Sequence, residues 1–489
     1  MTDAEFLAWL SSPDARPVVL VEAGVRLDGI ETVLNISDMG YTTKTGETPS
    51  NECYLPRIVG GCTIGERLSL DGSDASIAWG DVGIDNTDGF LDYLLGGIWR
   101  NRPIAMFVGD ASWPRADFRP VFAGTIDDLD SSAPDRLNLK LRDNMQRLNA
   151  PLTEAKIGGT GPNKDATVPL CFGECHNVTP VLVDPATLTY QVHGGAIEGV
   201  IERRDGGVPV GGSNNLAAGT FALAANLVSD LTVSVQGDKS GGVYRDTIAT
   251  LVQRIVTGYG TADGRLAASE IDAASFAAFD ADNLMPVGLW CPDRTNVIDA
   301  CRALTASVGA QVHFSPLGKL QITQVDIPSG GGEVIADEDA VDGEIEIAAR
   351  PAVQVAVKLG YCRNWTVQTV QGGIPAEHRA LYAQEWLTAT SIDATAQADY
   401  QTYAEPAMQE TMLLVAADAQ AEADRRQALW GVQRHVYRRP CGPHKMLLAL
   451  GAGVTLTSRR YNLAAGKPGQ VVAVTRDWLK RRATVEVLV

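Results

Sequence analysis

The chain has 489 residues, 45% of them hydrophobic and 20% charged, with 49 glycines and 24 prolines. This length exceeds one ordinary core, and the composition is that of a globular chain rather than a disordered or fibrous one. A formal charge of −18 and a pI near 4.8 exclude a protein that sheathes duplex DNA in Lys and Arg; net charge of this size serves solubility.

The opening MTDAEFLAWLSS has acidic residues near its start, no basic segment and too short an apolar run for a signal peptide. Residues 3–11 read as a short helix with Phe6, Leu7 and Leu10 on one face and Thr2 or Asp3 as its cap. Strands follow at Val18–Glu22 and Thr32–Ile36, then an imperfect alternation over Leu68–Trp79. Further strands are expected at Arg102–Gly109, Phe118–Asp127 and Leu137–Leu141, and Asp143–Leu148 reads as a short capped helix. The first domain is therefore a β-rich 1–152. A polar, Gly-rich stretch from Thr153 to Thr167 forms a linker.

A small β domain, 153–230, holds strand candidates at Val178–Val183, Thr189–His193, Ala196–Arg203 and Gly219–Leu223, separated by Gly-rich turns. Helical spacing then appears at Asp246–Tyr259 and Thr295–Val308. With the strands Gln311–Ser315 and Lys319–Val325 these make an α+β helix–hairpin domain, 231–328. The last domain, 329–489, starts with a Gly-rich and acidic run to Asp342, then the alternating strand Ala352–Tyr361. It continues through an irregular aromatic segment, a helical insertion around 406–435 (helical over 413–435) and four closing strands, Met446–Leu450, Gly453–Ser458, Gly469–Arg476 and Ala483–Leu488. No apolar run reaches the length that spans a membrane. The fold class expected is mainly β with α+β insertions, multidomain, with β-barrel-type domains.

Chemistry is sparse. The six histidines His176, His193, His313, His378, His435 and His444 match no metal-protease or nucleophile motif. The eight cysteines are dispersed, which suggests neither a disulfide framework nor a zinc module. Cys171-Phe-Gly-Glu-Cys175-His176 is the single cluster of metal-ligand types, and buried thiols on a strand are the alternative. Cys53 and Cys62 flank Gly60-Gly61 and are placed to face each other across a hairpin. Asp127-Asp128 and Asp337-Glu338-Asp339 read as solvated loop carboxylates. Asp81, Asp85 and Asp88 are spaced for a cation, with a turn-and-cap role preferred. Tryptophans at 79, 99, 113, 290, 365, 386, 430 and 478 are spread over every domain, a pattern of core and interface anchors. No catalytic residue, cofactor or metal ligand is assigned.

Four segments, in order, carry a resemblance. Gly80–Gly124 combines Asn86-Thr-Asp-Gly89, a short helix, Trp99 and Phe122-Ala-Gly-Thr-Ile126. The others are Pro169–Val210, residues 286–325, and the closing stretch RYNLAAGKPGQVVAVTRDWLKRRATVEVL. Together the sequence resembles baseplate or tail-tip hub proteins of long-tailed, siphophage-like bacteriophages, related to the hubs of contractile tails and gene transfer agents. That resemblance implies a non-enzymatic virion protein, assembled in the host cytoplasm into a homotrimeric ring with pseudo-sixfold symmetry. It implies a tail tube or distal tail protein above, central fibre or spike components below, and DNA as a passenger in the channel during ejection. An acidic wall would then repel that DNA. Some tail-tip hubs carry an iron–sulfur cluster; four compactly spaced cysteines are missing here, and the cluster is not carried over. Trp365, Tyr382, Trp386, Tyr400, Tyr403 and Met408 within 362–412 form the interface candidates. Alternative readings are a distal tail or receptor-binding component, or a cell-wall or carbohydrate-active enzyme whose acid pair is assembled from distant positions.

Overall fold

The computed structural model describes residues 1–70, 76–142, 144–341, 343–368 and 374–489, with the backbone alone for 76–79 and 132. Strand outweighs helix, 41% to 20%, so the chain is mainly β and multidomain. Compactness separates two units, each discontinuous in sequence. The first comprises 1–145, 313–351 and 434–489; the second comprises 146–312 and 352–433.

In the first unit the helix α1 (Asp3–Leu10) starts at Thr2, whose Oγ1 accepts from Glu5 N while Glu5 Oε2 accepts from Thr2 N at 2.7 Å. Phe6 and Leu10 are its buried face. Strands β1 (Pro17–Leu27), β2 (Ile30–Ser37), β3 (Tyr41–Thr42), β4 (Cys53–Pro56), β5 (Ile58–Gly61), β6 (Thr63–Arg67), β7 (Ser76–Trp79), β8 (Asp81–Asp85), β9 (Pro103–Asp110), β10 (Arg119–Ala133) and β11 (Arg136–Arg142) follow. Nine of them form one sheet in the order β3-β4-β2-β1-β9-β10-β11-β8-β5. The continuous run Val18–Val21 marks β1 as buried on both faces. Val19 and Val21 point into the main core, whereas Val18 and Leu20 pack with Tyr54 and Phe118 in a second cluster.

A second sheet in this unit runs Glu333–Ile335, Gly453–Ser458, Leu463–Asp477, Arg482–Leu488, Val436–Cys441, Glu346–Ala349. Strand β6 pairs with Leu463–Asp477 through Glu66 opposite Val474, and β7 pairs with β6. N-terminal and C-terminal strands therefore share one hydrophobic core, in which Val21, Ile64, Val82 and Leu139 pack with Leu456, Val474 and Val487. Each such side chain contributes roughly 1.5–3 kcal/mol on full burial. The end strands of the nine-stranded order, β3 and β5, do not pair with each other, so that sheet stays open.

The second unit has a five-stranded sheet, Val208–Pro209, Ile197–Asp205, Leu231–Asp238, Leu170–Val178, Gly288–Cys291. It also has a four-stranded sheet within 181–223 and a three-stranded sheet, Leu387–Ile392, Ala356–Tyr361, Met408–Glu410. The expected helices lie at Ile248–Gly258, Val297–Ala306 and Ala416–Trp430. A further helix, Ala273–Asp282, is capped by Asp272, whose Oδ1 accepts from Ala274 N and Ser275 N. Its Ala-rich sequence buries only Phe276 and Phe279, too few apolar markers to show a period. The hairpin Ala310–Phe314 and Leu320–Gln324 follows Val297–Ala306 in the chain.

Four expectations meet the undescribed residues. Of Leu68–Trp79, Ser76–Trp79 is a strand and 71–75 lie outside the described residues. Asp143 lies outside them as well, and Asn144–Leu148 is a 3-10 turn. Asp342, at the end of the acidic run, and 369–373, in the aromatic segment, also lie outside.

Candidate functional site

The cysteine cluster lies on the strand Leu170–Val178. Gly173, at φ +65°, lets that strand bend between two partners, and a Cβ there would sit 1.9 Å from Val287 O. Before the bend Cys171 pairs opposite Trp290; after it Cys175 pairs opposite Val235. Both thiols are buried, as is Cys291 on the neighbouring strand. Burial, then the Cys171 thiol, pushes Cys175 well above its ordinary range, and burial pushes Cys291 up to about 12. His176 turns instead to Glu174, with Nε2 3.3 Å from its carboxylate. Among the described residues no three His, Cys, Asp or Glu side chains converge as metal ligands.

Cys53 and Cys62 do not face each other. Cys53 is exposed on β4, which pairs with β2 and β3, while Cys62 follows β5 and is buried in the main core. The Gly60-Gly61 pair belongs to β5, whose partner is β8. Asp88 binds Arg57 through two bonds of 3.1 and 2.7 Å and accepts from Phe90 N at 3.1 Å; Asp85 Oδ1 accepts from Thr87 N at 3.2 Å. These carboxylates serve turns. The Arg57 guanidinium, then the Phe90 amide, holds Asp88 below the usual carboxylate range.

Charge is unevenly placed along the chain. Residues 434–489 hold eleven Lys and Arg against two Asp and Glu. The acidic segment 333–346 supplies their counterions within the first unit. Glu333 pairs with Lys445, Asp337 with Arg439, and Asp339 with His444 Nε2 at 2.6 Å. Glu346 pairs with Arg438 at 3.0 Å and Glu344 with Arg460 at 3.7 Å. Asp337 and Asp339 of this 3-10 turn are thus clamped on Arg439 and His444, while Glu338 between them is exposed, as a solvated carboxylate. Sequence reading missed this because the partners are about a hundred positions away.

The six aromatic-segment residues divide by burial. Tyr382 is buried and donates to Glu202, which also pairs with Arg204 at 2.8 Å. Trp386 is buried, and Trp365 is partly so; the Arg363 guanidinium lies 4.1 Å from the Trp365 ring centre and 5.0 Å from that of Trp386. Gly360 allows this packing, since a Cβ there would meet Met408 Sδ at 2.9 Å and the Trp386 ring at 3.1 Å. Met408 is partly buried in a strand parallel to Ala356–Tyr361. Tyr400 and Tyr403 remain outward, at 44% and 68% exposure.

A second outward surface lay unmarked in the sequence reading. Phe90, Tyr93, Leu95 and Ile98 are each more than half exposed, at 58, 55, 52 and 56%. Beneath them the backbone is fixed. Asn86 donates to Asp92 at 2.7 Å and accepts from Leu91 N at 2.9 Å, Trp99 Nε1 donates to Leu94 O at 2.9 Å, and Ile98 N donates to Arg26 O at 2.9 Å. The signal was available: the run Phe90–Trp99 holds large apolar side chains at seven of its ten positions, more than one buried face uses.

No protein-family model matches the chain, and a comparison with curated proteins finds no match. Among solved structures the chain is similar to a tail protein from Neisseria meningitidis MC58, at 11% identity over 96% of each chain and a TM-score of 0.37. It is similar to the 43 kDa tail protein of prophage MuSo2 from Shewanella oneidensis, at 10% identity over 97% of this chain and 96% of that one, with a TM-score of 0.40. It is also similar to a chain of the virion of a native gene transfer agent particle, at 15% identity over 71% of this chain and 91% of that one, with a TM-score of 0.45. No helix among the described residues is long and apolar enough to cross a membrane.

Proposed function

We propose that the chain is a structural virion protein of a phage tail tip, a baseplate hub without enzymatic activity. Its place is a homotrimeric ring between the tail tube or distal tail protein and the central fibre or spike, with DNA passing through the channel. The four ordered segments that resemble hub proteins support this reading. The observation that carries it is the rigid apolar strip Phe90, Tyr93, Leu95 and Ile98 in the first of those segments. Four large apolar groups held outward by a hydrogen-bonded scaffold have the character of a surface completed by a neighbour. Open sheets also need neighbours or cover at their edges, and Tyr400 and Tyr403 offer a second contact surface.

The clamp between 333–346 and the basic strands bears on the channel. Glu333, Asp337, Asp339, Glu344 and Glu346 are paired inside the first unit, so an acidic channel wall would draw on other carboxylates. Electron microscopy of particles carrying a labelled chain tests the proposal: three copies at the tail tip are expected. A chain that is strictly monomeric and never enters particles would overturn it.

A further inference from the structure

Two stretches of the chain are opposite in charge, and each turns tyrosine outward. Residues 385–418 hold six Asp and Glu and no Lys or Arg. Residues 440–476 hold five Lys and Arg and no Asp or Glu.

The acidic surface is built on a short helix and the turn after it, in the second unit. Asp393 caps the helix Ala394–Tyr400, accepting from Thr395 N at 2.9 Å and Ala396 N at 3.0 Å. Gln401 ends the helix at φ +52°, and Thr402 N returns to Gln397 O at 3.2 Å. Ile392, Asp399, Tyr400, Tyr403 and Glu405 are all exposed along this short path. Lys358 meets Glu405 at 2.6 Å and Arg363 meets Glu385 at 2.7 Å, which leaves the stretch net negative.

The basic corner lies in the first unit, at the hairpin turn between Gly453–Ser458 and Leu463–Asp477. Tyr461 and Asn462 take φ +54° and +56°, a conformation that bulky side chains rarely adopt. The turn leaves Tyr461 40% exposed. Its ring centre lies 5.7 Å from that of Tyr437, which lies 5.8 Å from that of His435. The Arg460 guanidinium lies 5.8 Å from the Tyr461 ring centre. Arg350, Arg460 and Lys467 are exposed. Burial, then Arg350 and Lys467, holds His435 below its ordinary range, so both charges felt there are positive. Glu344 stands 3.7 Å from Arg460 with both side chains mostly exposed, a pair that solvent weakens and a second carboxylate can replace.

Nucleic acid fits this corner poorly. Strand binding uses successive open aromatic faces along a basic groove, whereas Tyr437, the middle ring of the stack, is buried. A net charge of −18 also repels a polyanion. A carboxylate-rich protein surface with its own tyrosines fits better, because Arg binds carboxylates and aromatic faces alike. The chain itself supplies that surface.

We propose that the acidic surface around Tyr400 and Tyr403 of one copy docks on the basic corner around Arg460 and Tyr461 of a second copy. Two different surfaces meeting head to tail generate a ring when the rotation closes. The inference rests on the tail-tip reading for that ring and names one contact within it.

The test uses the full chain and two charge-reversed forms, Arg460→Glu with Lys467→Glu, and Asp399→Lys with Glu405→Lys. All four positions are exposed, so both forms should melt as the parent does. Sedimentation velocity over a concentration series reads association. Each form alone should associate at least about tenfold more weakly than the parent, because like charges then face each other. An equimolar mixture of the two should recover association, since each form offers the charge that the other has lost. The proposal is overturned if the parent does not self-associate, if either form associates as the parent does, or if the mixture stays as weak as its components. Loss in the basic-corner form alone would point to nucleic acid or another acidic partner. Three copies at the tail tip with unaltered association of the variants would keep the tail-tip reading and remove this contact. Absence from tails with recovery in the mixture would do the reverse.

Discussion

Arg254 Nε donates to Asp238 Oδ2 across 2.8 Å, tying the helix Ile248–Gly258 to the end of the strand Leu231–Asp238. The other oxygen, Asp238 Oδ1, accepts from Tyr259 at 3.0 Å and lies 3.4 Å from His193 Nε2, whose ring Nδ1 accepts from Cys171 N. Asp238 and His193 are both buried. A His–Asp–Tyr set of this kind has the composition of an acid–base site; here it joins three elements, with His193 and Asp238 buried and Tyr259 partly exposed.

Burial alone would raise the pKa of Asp238, but the contacts from His193, Ser240 and Arg254 outweigh it and hold the carboxyl far below its usual range. A depressed folded-state pKa gives stability that is present above the ordinary value, near 4, and is lost as pH falls toward the folded value. Urea midpoints for the second unit should therefore be flat on this account from neutral pH to about 4 and fall below it. Asp238→Ala, which leaves Arg254 and His193 without their acceptor, should cost roughly 3 kcal/mol at pH 7. An unchanged midpoint in that variant would remove the network from the stability account.

The buried pair Arg476–Glu66 joins the C-terminal sheet to β6, and Arg476 Nε also donates to Met446 O at 2.7 Å. Arg476→Ala should destabilise the first unit by roughly 3–5 kcal/mol, because Glu66 is left buried and charged. Replacing both residues with apolar ones of similar volume should recover most of that loss. Denaturant unfolding of the two variants makes the comparison.

Thiol accessibility follows burial. Cys53 is exposed, while Cys62, Cys171, Cys175, Cys291, Cys301 and Cys441 are buried. Burial pushes Cys301 up to about 12, and burial followed by Asp339 pushes Cys441 to about 12. Titration of the native chain with an aromatic disulfide reagent at pH 8 should label Cys53 first and leave the buried six until denaturant is added. Rapid native labelling of Cys171 or Cys175 would contradict the burial described above.

The aromatic segment should split by position. Tyr400→Ser and Tyr403→Ser should change stability by less than about 0.5 kcal/mol, as surface substitutions do. Trp386→Ala removes a buried ring packed on Arg363 and should cost roughly 3–5 kcal/mol. Thermal or denaturant melts of the three variants separate the packing residues from the contact residues.

Replacing Phe90, Tyr93 and Leu95 together with Ser should leave the melting temperature within a few degrees of the parent, since these side chains are outside the core. The same variant should lose self-association, read as native mass, and incorporation into tails. A variant that assembles as the parent does would detach this strip from the assembly surface.

The sequence by itself determined local structure. The cap Thr2 and the face Phe6–Leu10 place α1, and the spacing of Ile248, Leu251, Val252 and Ile255 places a buried helix face. The run Val18–Glu22 marks a strand. These signals were legible because each depends on neighbours within a few residues. The helix Ala273–Asp282 was not, since alanine carries too weak an apolar signal to mark a face. Only the tertiary structure decided which distant segments share a core or a charge. Nothing local in Glu66 points to Arg476, in Asp337 to Arg439, or in Cys171 to His193. Likewise Tyr382 and Tyr403 belong to one aromatic segment, yet packing against Glu202 and Arg204 buries the first while the second faces solvent. Burial and pairing depend on what the rest of the chain brings alongside, and residue type and spacing carry no record of that.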